Sequence, residues 1–468
     1  MAPKPFLLCF LIVFPWSALG QEAPKIALSL EGAVQLGLQK AQDIKIAESQ
    51  SRESKTAVDA AIGSILPAVN AQFDYTRSLT IIPLPAAFNI PGLPFGQANT
   101  HTFGLAFSQP VYRAGSVRGI EIAQDYFRSA KDQETETRLD TVLNICETYY
   151  RAVLAERLSE IAQLQIDQLE AQLKDVRLQR QAGNASDLDV SRVEVNRENV
   201  APQLADALNA RDDAMQSLKR LLNLAVSTDL ILIDELNAEK FSPIGDEDIR
   251  ELSQTAVQQR AAVRAAERLN RIRQAEVKQA KAAFLPTVDI VGNIGEQAYP
   301  KDFIPRSPDF QDNWTAGFRV SIPIFAGGQR IARVKAARER LQQSEFQLEK
   351  LLLFIRSDVE NWRVRLKRAE DLIGSRTRAS KQAVRVYELT ELSYRQGTGT
   401  HLDLTDARTN LRVARANEVQ ALHDYYTAYL RLIRTVGVPP ESFAQVQTLS
   451  SHKLPPNQAG PPNTEKKK

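Results

Sequence analysis

The sequence predicts a mostly α-helical fold with four membrane-type β-strands, built by using one motif twice. Two observations carry that expectation. Residues 28–223 and 250–436 share one order: a helical stretch ending in Leu-Pro, two alternating strands around a loop, a very long helix, a glycine-centred break and a further helix. The landmarks also recur at near-constant spacing. Leu66-Pro67 returns as Leu285-Pro286, Ser108-Gln109-Pro110 as Ser321-Ile322-Pro323, and Arg180-Gln181-Ala182-Gly183 as Tyr394-Arg395-Gln396-Gly397. These three offsets agree too closely for coincidence, and a fixed-period repeat sets the architecture before any single residue does.

Residues 1–20 read as a secretory signal: Lys4, an apolar run from Phe6 to Phe14, and Ala18-Leu19-Gly20 as a small-x-small cleavage site. The apolar run is too short to span a bilayer as a helix. Gln21, not Cys, follows the cleavage site, which points away from a lipid anchor. Cys9 lies in this leader, leaving Cys146 alone in the mature chain as a small buried hydrophobe with no internal disulfide. Residues 438–468, rich in Pro, Ser, Asn and Gln and ending in three lysines, read as a disordered tail.

The first repeat, residues 21–223, opens with a helix over 29–66. Its long helix over 116–182 has no proline, and Leu139, Val142, Cys146, Tyr149 and Val153 recur at threes and fours. A helix over 188–223 completes it, with Pro202 expected to bend that helix. The second repeat, 250–437, gives helices over 250–285, 328–396 and 401–436. Each long helix is a rod of about 100 Å, and two half-length helices end to end match it. Such rods call for lateral packing in a bundle or coiled-coil arrangement.

Four strands lie between the rods, over 68–76, 100–108, 287–294 and 313–322. In the first, Val69, Ala71, Phe73 and Tyr75 alternate with Asn70, Gln72, Asp74 and Thr76. Period-two alternation of this length suits a strand with an apolar side towards lipid and a polar side towards a lumen. A soluble half-buried strand reads alike. Recurrence at matched places in both repeats favours the membrane reading. The connections 77–99 and 295–312 have the length and Pro/Gly content of outer-rim loops. Tyr75, Tyr112, Tyr299, Trp314 and Phe325 fall near the strand ends, where aromatic belts form and where ordinary strand packing also places them. A linker over 224–249 joins the repeats, and Leu230 to Ile233 in it reads as a small strand or helix.

Four strands cannot close a barrel, and an open edge in hydrocarbon leaves unpaired backbone groups. The barrel must be shared among copies. Two copies give an 8-stranded barrel filled by its own side chains, whereas three give 12 strands and room for a conduit.

The doubled order, together with Pro110-Val111-Tyr112-Arg113-Ala114-Gly115, its partner Pro323-Ile324-Phe325-Ala326-Gly327-Gly328 and the paired glycine turns, resembles the TolC family of outer-membrane efflux channels over residues 28 to 437. The resemblance implies a homotrimer. It would form a 12-stranded β-barrel in outer-membrane lipid of a Gram-negative bacterium, continuous with a periplasmic α-helical barrel. It also implies a tapered tip where a periplasmic adaptor tied to an inner-membrane pump docks, with the C-terminal tail in the periplasm.

The densest polar cluster runs from Tyr394 to Asp406. Gly397 and Gly399 break the long helix, Thr398 lies between them, and Thr400 is a good N-cap with Asp403 three residues on. The first repeat supplies Gly183, Asn184, Ala185 and Ser186, with Asp189 three residues after Ser186. A capping box accounts for Asp189 and Asp403 without any function. Asp406 lies beyond the first turn, on the face of Asp403. In a trimer the pair would form a carboxylate ring that attracts cations and raises its own pKa values by mutual repulsion. The resemblance matches Asp403 and Asp406 to the family's periplasmic constriction, and Tyr394 and Asp189 to the link that holds the tip shut. It makes the two turns the adaptor-docking points. Where the family's archetype has a lock arginine this chain has Gly399, so that bond is absent or comes from Arg395. In the repeat alignment Asp406 stands against Arg192 and Tyr394 against Arg180. The gate is therefore expected to be threefold and carried by the second repeat.

A formal charge of +3 with interspersed signs gives nucleic-acid binding no support. Residues 330–395 hold 16 Lys or Arg against 9 Asp or Glu, which reads as a solvated helix face or, less economically, a cation-rich channel wall. His101, His401, His423 and His452 have no metal-ligand spacing, and Met1 and Met215 are the only methionines. No nucleophile elbow or P-loop occurs, so no catalytic residue, cofactor or metal is expected, and any energy comes from a partner. The expected function is a passive exit duct of a tripartite efflux or type I secretion system, gated at its tip. The competing reading is a periplasmic coiled-coil adaptor without a pore. Adaptors share long antiparallel helices but need compact β-domains, which four amphipathic strands between rods do not supply.

Overall fold

The computed structural model describes residues 25–80, 98–236, 249–300, 303–306 and 310–438. The leader, the C-terminal tail, most of the first strand connection and half of the inter-repeat linker lie outside them. The described elements begin with β1 (Lys25–Leu28), α1 (Leu30–Lys40), α2 (Gln42–Gly63), β2 (Ala68–Arg77) and β3 (Asn99–Tyr112). The long helix α3 (Ala114–Gln181) and α4 (Asp187–Leu221) follow, then β4 (Asp229–Leu232), α5 (Ile249–Gln259) and α6 (Ala261–Ala282). The chain continues through β5 (Thr287–Ala298), β6 (Phe310–Asp312), β7 (Thr315–Ser321), the second long helix α7 (Gln329–Arg395) and α8 (His401–Val436).

Each helix expected to be continuous before a strand pair is two helices. Ala41 separates α1 from α2 at φ −59°, ψ 131°, and Arg260 separates α5 from α6 at φ −62°, ψ 125°. Neither break carries Gly or Pro, so nothing local announces it. Both residues are buried, and packing imposes the extended conformation. Pro202, by contrast, lies inside α4, which continues through it to Leu221.

The chain divides into two compact units, each drawing segments from both halves of the sequence. One comprises residues 40–144, 242–372 and 424–468 and contains the larger sheet. Its strand order is β2-β3-β5, with β6 and β7 both pairing the far side of β5 antiparallel. The strand expected over 313–322 is β7 alone, whereas β6 falls within the connection expected over 295–312; Asn313-Trp314 separates the two, and the Asn313 N–H still reaches the Gly295 carbonyl at 2.7 Å. β3 runs past Ser108 through Pro110, and its register against β5 shifts between Pro110 and Tyr112. A proline has no N–H for the ladder, so pairing survives there only through a bulge.

Register gathers the apolar positions onto one side. Val69 pairs with Phe107, Ala71 with Leu105 and Phe73 with Phe103; Phe107 and Leu105 then meet Gly292 and Ile294, and Ile290 meets Phe318. The other side carries Asn70, Gln72, Thr102, Gly104, Asn293, Thr315 and Arg319. Phe73 is 64 % exposed and Phe318 79 %. β2 and β7 are exposed throughout.

Away from the sheet, this unit buries Ile44, Leu139, Val142, Ile272, Ile355, Val359, Leu430 and Ile433 on its helices. A polar seam accompanies that core. Arg434 donates to Glu136 and to Asp140, each at 2.6 Å, and Glu136 also accepts the Ala262 N–H at 2.7 Å. That last bond satisfies the first turn of α6 just after the Arg260 break.

The other unit comprises residues 1–39, 145–241 and 373–423. Here β1 and β4 pair in parallel, Lys25 opposite Asp229 and Leu28 opposite Leu232. β4 answers to the small element expected in the linker; β1 has no period-two signature and nothing in the sequence announces it. The Tyr149 hydroxyl lies 3.0 Å from the Leu28 carbonyl and 2.8 Å from an Asp234 oxygen that also takes the Leu30 N–H at 2.6 Å. Asp234 thereby satisfies the start of α1 from far along the chain. Cys146 is fully buried near this pin, as its apolar neighbours in sequence predict, and burial pushes its thiol well above the ordinary range. Among the described residues no helix is long and apolar enough to cross a membrane.

Candidate functional site

Two helix–turn–helix tips lie in the unit just described, and each is built by the same local chemistry. At the first, α3 ends at Gln181, and the N–H groups of Gly183 and Asn184 turn back to the carbonyls of Arg180 and Gln179 at 3.0 and 2.8 Å. At the second, the N–H groups of Gly397 and Thr398 return to Tyr394 and Ser393, each at 3.0 Å. Gly183 has φ +76° and Gly397 φ +75°, the left-handed conformation that closes a helix and that side-chain-bearing residues adopt only under strain. Ala185 packs on a small core of Leu173 and Val176 from α3 with Val190 and Val193 from α4. Gly399 has ordinary φ, but a Cβ there would stand 3.1 Å from the Tyr394 nitrogen and 3.2 Å from the Ser393 carbonyl carbon. The backbone of the second turn thus crowds any side chain at the position where the family resemblance implies an arginine. Arg395 is engaged within its own helix, 2.8 Å from Glu391.

Both following helices start with a reciprocal cap. The Ser186 hydroxyl donates to Asp189 at 2.6 Å, and the Ser186 N–H reaches the same carboxylate at 3.1 Å. The Asp189 N–H returns to the Ser186 oxygen at 3.2 Å. Thr400 and Asp403 repeat the arrangement at 2.6, 3.1 and 3.2 Å. These hydrogen bonds favour the ionised form and hold both carboxyls below the usual aspartate range, first through the hydroxyl and then through the backbone N–H. Asp406 is exposed one turn further along α8 and, among the described residues, makes no hydrogen bond or ion pair.

Tyr394 is half-buried, and burial raises its phenol pKa, with the Asp189 charge adding to the rise. The two are electrostatic neighbours with no hydrogen bond between them; the Asp189 carboxylate takes the Ser186 hydroxyl and N–H. The Tyr394 ring lies 6.3 Å from that of His401. His401 Nδ1 is 2.6 Å from Gln172 Nε2 on α3, and Arg408 on α8 donates to the oxygen of the same Gln172 amide. No motif in the sequence marks Gln172, His401 and Arg408 as functional. One signal is present: Gln172 occupies an apolar slot between buried Leu169 and Val176 on α3, spaced by three and four, and is itself 5 % exposed.

Each long helix turns back at a glycine tip, and the open sheet carries its apolar residues on one side. The chain belongs to the outer membrane efflux protein family, whose sequence profile matches residues 33–224 and 252–438. It is 25 % identical to the alkaline protease secretion protein AprF of Pseudomonas aeruginosa over 350 residues, covering 72 % of this chain and 67 % of that one. With the outer membrane protein TolC of Vibrio cholerae it shares 21 % identity over 341 residues, covering 72 % and 77 %. Its fold matches the Campylobacter jejuni CmeC outer membrane channel with a TM-score of 0.71 at 18 % identity, over 87 % of this chain and 85 % of that one.

Proposed function

We propose that three copies of this chain form an exit duct through the outer membrane of a Gram-negative bacterium. The duct would conduct cargo passively from a periplasmic adaptor and inner-membrane pump. The observation that carries the reading is the sheet. Its aligned apolar side suits lipid, and β2 and β7 each pair on one side only among the described residues. An isolated four-strand sheet in hydrocarbon would leave two edges unsatisfied; three copies joined edge to edge make a closed barrel of twelve strands. The helix breaks at Ala41 and Arg260 stand at equivalent places in the repeat, with the same spacing as Leu66 and Leu285, and support reading each protomer as two similar staves.

The tip is the gate of this duct. Asp403 and Asp406 project from the second hairpin as a threefold ring of carboxylates, and the nearness of Tyr394 to Asp189 supports a link between the hairpins. The turns at 183–186 and 397–400 are the docking points for the adaptor, which opens the tip by rotating its helices. Selection of cargo then belongs to the pump, because a wide polar lumen carries little substrate code. The experiment is fractionation followed by mass measurement of the detergent-extracted protein. A trimer in the outer-membrane fraction is the expected result; a soluble periplasmic monomer would establish the adaptor reading instead.

A further inference from the structure

We propose that Gln172, His401 and Arg408 form the clasp that holds the second tip hairpin against the first, in place of an arginine at position 399. The inference rests on the gate reading above and adds to it the residues that set the closed state.

The geometry fixes the chemistry. Arg408 carries only donors, so the Gln172 amide must present its oxygen to Arg408 and its NH2 group to His401. His401 Nδ1 must therefore be a bare acceptor, with the ring neutral and its proton on Nε2. Gln172 is 5 % exposed, so its amide has no bulk water to fall back on. Arg408 also lies over the Tyr387 ring, with its guanidinium carbon 5.9 Å from the ring centre. One buried glutamine on α3 thus ties down two residues of α8 that stand two turns apart on that helix. Any motion of α8 past α3 must break both bonds together.

Protonating His401 places an N–H against the Gln172 NH2 and opens the clasp. The charged groups around the imidazole are Arg408 on its own helix and Asp189 and Arg192 on α4; Tyr394 on α7 covers one side and Gln172 on α3 the other. Burial and then Arg408 depress the imidazole pKa, with Asp189 opposing. Because the folded value is lowered, the clasp is intact at neutral pH. It is lost as pH falls from the ordinary imidazole value of about 6.5 through the lowered one.

Planar-bilayer recording of the full-length protein tests this, using wild type, Gln172→Leu, His401→Ala and His401→Gln, with Asp403→Ala/Asp406→Ala as the control for the gate itself. Wild type should open about tenfold more often on acidification, the size expected for losing one or two net hydrogen bonds. Gln172→Leu and His401→Ala should be open by about that factor at neutral pH and show no step. His401→Gln keeps an acceptor but cannot titrate, so it should stay closed across the range. If the three clasp variants gate like wild type while the double aspartate variant alters conductance, the clasp is overturned and the gate reading stands. If no variant and no wild type forms a pore, both fall.

Discussion

Tyr394 and His401 face each other across the second tip turn at the positions where the first turn holds an ion pair between Arg180 and Asp187. The rings are 6.3 Å apart, and the ion pair spans 2.6 Å. The repeat aligns Tyr394 with Arg180 and His401 with Asp187 at one common offset. The first hairpin therefore closes on itself with an exposed salt bridge, whereas the second presents two polarisable rings to its neighbours. This asymmetry within a repeated frame supports placing the proposed gate in the second hairpin.

The two caps should fail together in acid, separately from the clasp. Asp189 and Asp403 have depressed pKa values, so their stabilisation is complete above the ordinary value of 3.8 and is lost as pH falls through the lowered one. Protection of the Val190 and Leu404 amides, relative to their intrinsic exchange rates, should fall only below about pH 4, whereas protection near Gln172 should respond at higher pH. Ser186→Ala or Thr400→Ala should speed exchange in the adjoining first turn roughly fivefold at neutral pH.

The seam around Arg434 should depend far more on Glu136 than on Asp140. Glu136 is 4 % exposed and serves Arg434 and the Ala262 N–H, whereas the Asp140 side chain is 61 % exposed. Glu136→Ala leaves a buried guanidinium without its buried carboxylate partner and should cost about 3–5 kcal/mol. Asp140→Ala should cost about 1 kcal/mol or less. Thermal unfolding in detergent reads the difference.

The two sides of the sheet should respond oppositely to charge. Phe318→Lys places an ammonium on the apolar side and should reduce the yield of folded protein in the outer membrane, with a cost of roughly 2–4 kcal/mol near the bilayer midplane. Thr315→Lys, on the polar side, should insert normally. Equal loss in both variants would contradict a lipid-facing assignment.

Much of this is legible in the residues. Period-two alternation locates the sheet because its two sides meet different surroundings, and the glycine turns mark both tips because only glycine takes φ near +75° without strain. The breaks at Ala41 and Arg260 are not legible, since packing sets them against local helical preference. β1 escapes notice because a four-residue strand paired with residues 229–232 leaves no periodic trace. The clasp is hidden for a similar reason. A glutamine in an apolar slot acquires meaning only when His401 and Arg408, from the far end of the chain, are placed beside it.

The proposed gate requires Asp403 and Asp406 to line the constriction of a pore. Single-channel conductance of wild type and Asp403→Ala/Asp406→Ala in planar bilayers tests that most directly. Wild type should show a small, cation-selective conductance that rises, and loses its sensitivity to divalent cations, when both aspartates are removed. Identical conductance and selectivity in the two proteins, or no pore at all, would contradict it.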